Sequence, residues 1–416
     1  MKTKAVRIYG KRDLRLEEFE LPAIGEDEIL AKVWSDSLCM STYKAAEQGA
    51  EHKRVPDDVA EHPTIVGHEF CGELVEIGNK WKEKFRVGQK FTVQPALNYR
   101  GRPDAPGYSF RTVGGDATYV VIPKEVLETD NLLVYEGESW FCGSLAEPMS
   151  CIVGTYHATY HTKNGVYTHE MGIRQGGKMA ILAGVGPMGL GAIDYALNAD
   201  RRPGLLVVTD IDDARLARAE RIFTKEFAAA RGVELHYLNT SAGDAVEKLL
   251  ALSGGGFDDV FVFAPVKPVV EQGDAILGKD GCLNFFAGPT DHAFRANFNF
   301  YNVHYNSTHI VGTSGGNTED MRESLRMMAD GSLRTEVMIT HVGGLDSVVE
   351  TTLNLPNIKG GKKLIYTQIS MPLTAIEDFG KSSDPVLRAL DEICKRHDGL
   401  WSAEAEKYLL ANAKAI

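Results

Sequence analysis

The stretch Gly184-Val185-Gly186-Pro187-Met188-Gly189 constrains this chain more tightly than any other. It follows a short apolar run, KMAILAG, and opens a helical pattern from Met188 to Asn198. Strand, glycine turn and helix in that order make a cradle for a pyrophosphate. Glycines let the backbone turn tightly and come close, and the helix N-terminus stabilises the anion. The next strand, LLVVTD, ends at Asp210, 21 residues past Gly189. A carboxylate there can accept hydrogen bonds from ribose hydroxyls. Gly184, Gly186, Pro187, Met188, Gly189 and Asp210 are therefore expected to hold a dinucleotide. Asp210 would repel a 2′-phosphate, which favours NAD(H). Arg215 lies nearby and would admit NADP(H).

The surrounding pattern agrees. Residues 1 to about 130 alternate short β-branched runs with Gly and Pro turns, as in AVRIY, EILAKVW, GELVEIG, QKFTV and TYVVIP. That predicts a compact, largely β domain. From about 178, strands alternate with helices, which predicts a parallel doubly wound sheet. The overall class is α/β plus β. In VLRALDEICKR the apolar positions 387, 390, 393 and 394 share one helical face. Gly399 would stop that helix and Ser402 would cap the next.

Bulk properties narrow the function. A net charge of −12 is poorly suited to general nucleic-acid binding. No apolar run reaches a membrane span, and MKTKAVRIYG lacks the apolar centre of a signal peptide. A cytoplasmic location is expected. The six cysteines are dispersed without a CxxC pair, so no disulfide framework is expected.

Three separate segments can supply ligands to one metal ion: Cys39 in DSLCMSTYK, His68 and Glu69 in GHEFCGELVEIG, and Glu147 in LAEPMSC. Thiolate, imidazole and carboxylate form a zinc set, and a catalytic zinc keeps one position open. Cys151, one turn beyond Glu147, is a rival third ligand. Cys71, Cys142, Cys282 and Cys394 are read as buried small apolar residues.

These motifs, in this order, resemble the medium-chain dehydrogenase/reductase family in its zinc-containing alcohol and polyol dehydrogenase branch. GHEFCGELVEIG matches the family's GHE-x-x-G-x-x-x-x-x-G pattern, and GGDATYVVIP, an EP pair and the glycine fingerprint follow in sequence. The resemblance covers about residues 1 to 370. It implies a GroES-like catalytic domain at 1–159, a Rossmann domain at 160–313, a return to the catalytic domain at 314–370, and a helical extension at 371–416. It also implies one catalytic zinc. NYRGRPDAPGYSFRTVGG stands where many members carry four cysteines, so no structural zinc is expected. Thr42 replaces an acid that usually supports the metal, and Lys44 stands where a proton relay often ends in histidine.

A closer match lies in SDSLCMSTYK, HKRVPDDVAEHP, LAEPMSCIVG and VVTDIDDARLARA. It implies reduction of a ketose 1-phosphate to a hexitol phosphate. Zinc would polarise the carbonyl, reduced nicotinamide would deliver hydride, and Ser41 would pass a proton with Lys44 behind it. Glu69 either coordinates zinc or exchanges with water; Glu147 either coordinates zinc or holds that water. Lys44, Lys53, Arg54 and Arg111 are candidates for the phosphate, as are the N–H groups of Ser314-Gly-Gly316-Asn317. The partner would be a small sugar phosphate, not nucleic acid or a membrane, and the family implies a dimer or tetramer. Alternatives are another polyol or polyol-phosphate dehydrogenase, a zinc-free quinone or enoyl reductase, and a catalytically silent NAD(H)-binding regulator.

Overall fold

The computed structural model describes residues 1–416 apart from residue 164. The chain forms two compact units: 1–148 with 317–330 and 339–416, and 149–316 with 331–338.

The second unit is a parallel six-stranded sheet. Its strands lie in the order Glu234–Asn239, Leu205–Asp210, Lys178–Leu182, Phe257–Val262, Leu277–Phe285 and His309–Gly312. In chain order this is 3-2-1-4-5-6, the Rossmann arrangement, with its reversal beside Lys178–Leu182. The central strands Lys178–Leu182 and Leu205–Asp210 are nearly continuous buried apolar runs, as a covered parallel sheet requires. Ala180, Leu182, Val207, Val260, Val262 and Leu283 are buried together. The unit starts earlier than residue 160. Tyr156, on the helix Ala146–Ala158, donates its hydroxyl to the Ala192 carbonyl at 2.7 Å. Residues 331–338 also belong to it, where the Arg334 N–H donates to Asp194 at 2.6 Å. Burial and side-chain hydrogen bonds, not the run of motifs, decide these edges.

The first unit is built on an eight-stranded sheet assembled from distant parts of the chain. At its centre lies the strand Ile29–Leu38, with Phe70–Ile77, Tyr119–Ile122 and Lys362–Tyr366 all pairing antiparallel to it. The pairing register places Phe70 opposite Asp36 and Lys363 opposite Leu38. One step further, Cys39, Glu69 and Lys362 therefore leave the same end of three adjacent strands.

The extension belongs to this unit. It is not helical from 371: Thr374–Ala375 is a short strand paired to Ile339–Gly344, followed by a 3-10 turn at Ile376–Lys381. Helices then span Pro385–Arg396 and Ala403–Asn412. Leu387, Leu390, Ile393 and Cys394 are buried, as their spacing predicts. Ser402 caps the last helix by accepting from the Ala405 N–H. One polar residue locks the extension in place. The buried Glu406 carboxylate accepts from the Trp140 and Phe141 N–H groups and from the Tyr366 hydroxyl, at 2.8, 2.9 and 2.8 Å. The Trp401 indole donates to that same hydroxyl at 2.8 Å. Glu406→Ala would leave three donors unpaired, two of them fully buried. We expect it to lower unfolding stability by about 2 to 3 kcal/mol, read from urea unfolding.

Candidate active site

The metal set meets at the strand ends of the first unit. One ligand atom each from Cys39, His68 and Glu69 lies within 4.8 Å of the others. A tetrahedral zinc with bonds near 2.0–2.3 Å needs ligand atoms about 3.5 Å apart, so small side-chain shifts suffice. Cys39 stands at the N-cap position of the helix Met40–Gln48. Burial, with Glu69 and Glu147 nearby, pushes the Cys39 thiol up to about 12. It holds its proton until a cation displaces it. Burial holds the His68 imidazole down at about 4, with Lys362, Arg54 and His52 adding to the effect, so the ring is neutral as a ligand must be. Thr42 Oγ1 lies 3.2 Å from His68 Nδ1. The Tyr108 hydroxyl lies 3.3 Å from Nε2.

Glu69 is the most elaborately held of the three. Both its oxygens accept from Lys362 at 2.6 Å, and Ser37 donates to one of them. Burial opposes ionisation of Glu69, but Lys362 outweighs it and keeps the carboxyl below its usual range. Lys362 is itself buried, and the neighbouring carboxylates and Cys39 hold it protonated against that burial. Glu147 is buried but is not one of the three clustered ligands. The charges test the fit. Lys362 and a divalent ion would together balance the Cys39 thiolate, Glu69 and Glu147. Without the ion, the same donors carry an excess of negative charge that burial resists. The donor set fits zinc.

In the second unit, the glycine turn has the shape its sequence predicts. The helix starts at Pro187, directly after Gly186. A Cβ on Gly189 would lie 2.1 Å from the Gly184 carbonyl oxygen, so helix and strand approach as closely as backbone allows. A Cβ on Gly186 would meet only the Arg215 guanidinium, at 3.3 Å. That open space, under a cation, suits a phosphate. Asp210 is buried at the end of its strand, and one oxygen accepts from the Ile211 and Asp212 N–H groups.

Residues 25–129 match the alcohol dehydrogenase GroES-like domain, and 187–330 match the zinc-binding dehydrogenase domain. An L-sorbose 1-phosphate reductase from Klebsiella pneumoniae is 53% identical, covering 100% of this chain and 98% of its own. This chain belongs to the zinc-containing medium-chain dehydrogenase/reductase family. A mannitol-1-phosphate 5-dehydrogenase from Aliivibrio fischeri is 52% identical over 98% of this chain and 97% of its own. The 2R,3R-butanediol dehydrogenase structure from Bacillus subtilis superposes with a TM-score of 0.70 at 21% identity, over 88% of this chain and 99% of that one. The chain is thus an alcohol or polyol dehydrogenase with a GroES-like domain and a Rossmann domain.

Sequence reasoning missed three members of this dehydrogenase's site. Lys362 lies 293 residues from Glu69 and was indistinguishable from a surface lysine in GGKKLIY. Ser37 and Tyr108 lacked any motif. Of the phosphate candidates, Lys53 and Arg111 are exposed, while Lys44 and Arg54 are half-buried. Ser314-Gly-Gly316-Asn317 precedes the helix Thr318–Ala329, but its last residue closes a capping box with Asp320, and a Cβ on Gly316 would strike the Ser150 carbonyl. That turn serves packing and capping in this structure. No helix among the described residues is long and apolar enough to cross a membrane.

Behind Glu69 sits a second carboxyl pair. Asp36 accepts from the Glu69 N–H at 3.1 Å, and Asp116 lies beside it, both fully buried. Burial, then the Asp116 and Glu69 charges, push Asp36 well above the carboxylate range. Burial pushes Asp116 up to about 7. Two buried carboxyls so close together resist ionising at the same time. A raised carboxyl pKa stabilises the fold at low pH, and that contribution is lost as pH rises through 7. Asp116→Asn should therefore gain about 1.5 kcal/mol on the parent between pH 6 and pH 9, followed by urea unfolding at each pH.

Proposed function

We propose that this dehydrogenase reduces a ketose 1-phosphate, converting L-sorbose 1-phosphate to D-glucitol 6-phosphate reversibly, with NADH favoured over NADPH. The full-length identity to a reductase of that name carries this reading. The clustering of Cys39, His68 and Glu69 supports it. Cys39, His68 and Glu69 would hold one zinc ion, with Glu147 either a further ligand or the group that holds a water. Zinc, when bound, supplies Lewis acidity toward a carbonyl oxygen, and the nicotinamide supplies hydride.

The protein's own groups do the rest. Lys362 and Ser37 fix the Glu69 carboxylate, and Thr42 fixes the His68 ring. Ser41 sits two residues past Cys39 and hands a proton to the nascent hydroxyl, with Lys44 behind it as the next donor. Gly184, Gly186, Pro187, Met188 and Gly189 seat the pyrophosphate against the helix N-terminus, aided by Arg215. Asp210 accepts from the ribose hydroxyls and repels a 2′-phosphate. We also expect a dimer or tetramer acting in the cytoplasm.

The mannitol-1-phosphate relative favours a second reading, in which another hexitol phosphate is the substrate. A panel of ketose 1-phosphates, ketose 6-phosphates, free ketoses and hexitol phosphates, run with NADH and NADPH, separates them. Highest kcat/KM on L-sorbose 1-phosphate is the expected result. Equal values for sorbose and its phosphate would reject phosphate recognition. Tight NADH binding with no turnover on any member would favour the silent regulator.

A further inference from the structure

Most arginines of the first unit face a carboxylate: Arg7 meets Glu17, Arg12 meets Glu47 and Arg15 meets Asp13. Arg54 does not. Among the described residues its guanidinium has no hydrogen bond or ion pair, and its Nε is buried without a partner. It is half-buried, with its charge 5.4 Å from the Tyr108 ring centroid. His52 stacks on the same ring at 5.6 Å, with the planes 12° apart. The Arg54 N–H donates to His52 Nδ1 at 3.3 Å, so the neutral imidazole carries its proton on Nε2 as a donor. Ser109, next to Tyr108, donates to the Arg54 carbonyl at 2.7 Å and fixes the backbone. The buried Tyr108 ring then lies 4.9 Å from the His68 ring. One aromatic side chain thus carries an unpaired cation and a donor, and it touches a metal ligand.

We propose that Arg54 and His52 bind the phosphoryl group of the substrate, and that Tyr108 is the positioning residue that sets this anion site beside His68. The proposal rests on the reading of the substrate as a sugar phosphate and assigns the group that recognises it. A guanidinium offers a planar fork that matches phosphate oxygens, and partial burial strengthens the pair. An unpaired, partly desolvated guanidinium is costly in the free protein, and a bound dianion offsets that cost. Lys53 and Arg111, being exposed, would add only a screened attraction. HKRVPDDVAEHP, which carries His52 and Arg54, lies in the long span between Cys39 and His68.

The test compares the zinc-loaded parent with Arg54→Ala, Arg54→Lys, Tyr108→Leu and Tyr108→Phe. Turnover is measured on L-sorbose 1-phosphate and on L-sorbose, and inorganic phosphate binding by calorimetry. Zinc content and melting temperature establish that each variant is folded and loaded. Arg54→Ala should reduce the ratio of kcat/KM for the phosphate over the free sugar by about 100-fold, mainly through KM. It should also abolish inorganic phosphate binding. Arg54→Lys should restore part of both. Tyr108→Leu should reproduce the loss of selectivity, and Tyr108→Phe, which keeps the ring, should not. A parent that prefers the phosphate, with Arg54→Ala keeping both preference and phosphate binding, overturns this assignment and leaves the proposed reaction standing. A parent with no preference overturns the reaction and the assignment together. Equal selectivity in Tyr108→Leu and the parent overturns the positioning role.

Discussion

Replacing Cys39 with serine is expected to empty the metal site and lower kcat/KM by about 1000-fold or more, while the chain stays folded. The physical reason is specific to this position. Cys39 stands at the N-terminus of a helix, a position that favours a thiolate. Burial and two nearby carboxylates oppose ionisation, so only a bound cation can release the proton. A serine hydroxyl ionises far less readily and would leave an ion with one imidazole and a carboxylate already shared with Lys362. Loss of a single supporting group around a metal commonly costs 10- to 100-fold, and loss of a direct ligand should exceed that. Metal analysis alongside steady-state turnover checks the result. Cys151→Ser serves as the contrast and should keep both zinc and activity. Full zinc content and full turnover in Cys39→Ser would remove the proposed chemistry, and loss of zinc in Cys151→Ser alone would transfer the ligand role.

Lys362→Met should destabilise the first unit by about 3 to 5 kcal/mol. Lys362 and Glu69 are both almost fully buried, and both Glu69 oxygens lie 2.6 Å from the ammonium. Removing the cation leaves a carboxylate in the core with only Ser37 and a metal to compensate it. The loss should therefore be larger in chelator-treated protein than in zinc-loaded protein. Glu69→Gln combined with Lys362→Met should recover much of it, because the pair is costly to break and cheap to replace. Denaturant unfolding with and without chelator reads all four values. A double variant no more stable than Lys362→Met would show that the lysine acts through packing and not through Glu69.

The cofactor domain was legible because its information is local. The turn from Gly184 to Gly189 needs backbone without side chains, and only glycine provides it, so the letters themselves report the geometry. Asp210 follows from strand length, and the last helices from a 3.6-residue period and their caps. Cys39, His68 and Glu69 could be singled out as a set because the GHE pattern and its order are distinctive.

What stayed hidden depends on strand pairing between residues far apart in the chain. Lys362 becomes an active-site residue because Lys362–Tyr366 pairs with Ile29–Leu38 in one register; a shift of one residue would present Lys363 instead. Tyr108 reaches His68 because a cysteine-free loop folds over the strand ends, and Glu406 binds the start of a helix 265 residues away. The order of letters alone pointed to the two-domain plan, the dinucleotide turn and three candidate metal ligands, Cys39, His68 and Glu69, that the fold brings together. Tertiary structure decided which buried charges meet, because burial and long-range register, unlike turns and helix periods, are set by the whole fold at once.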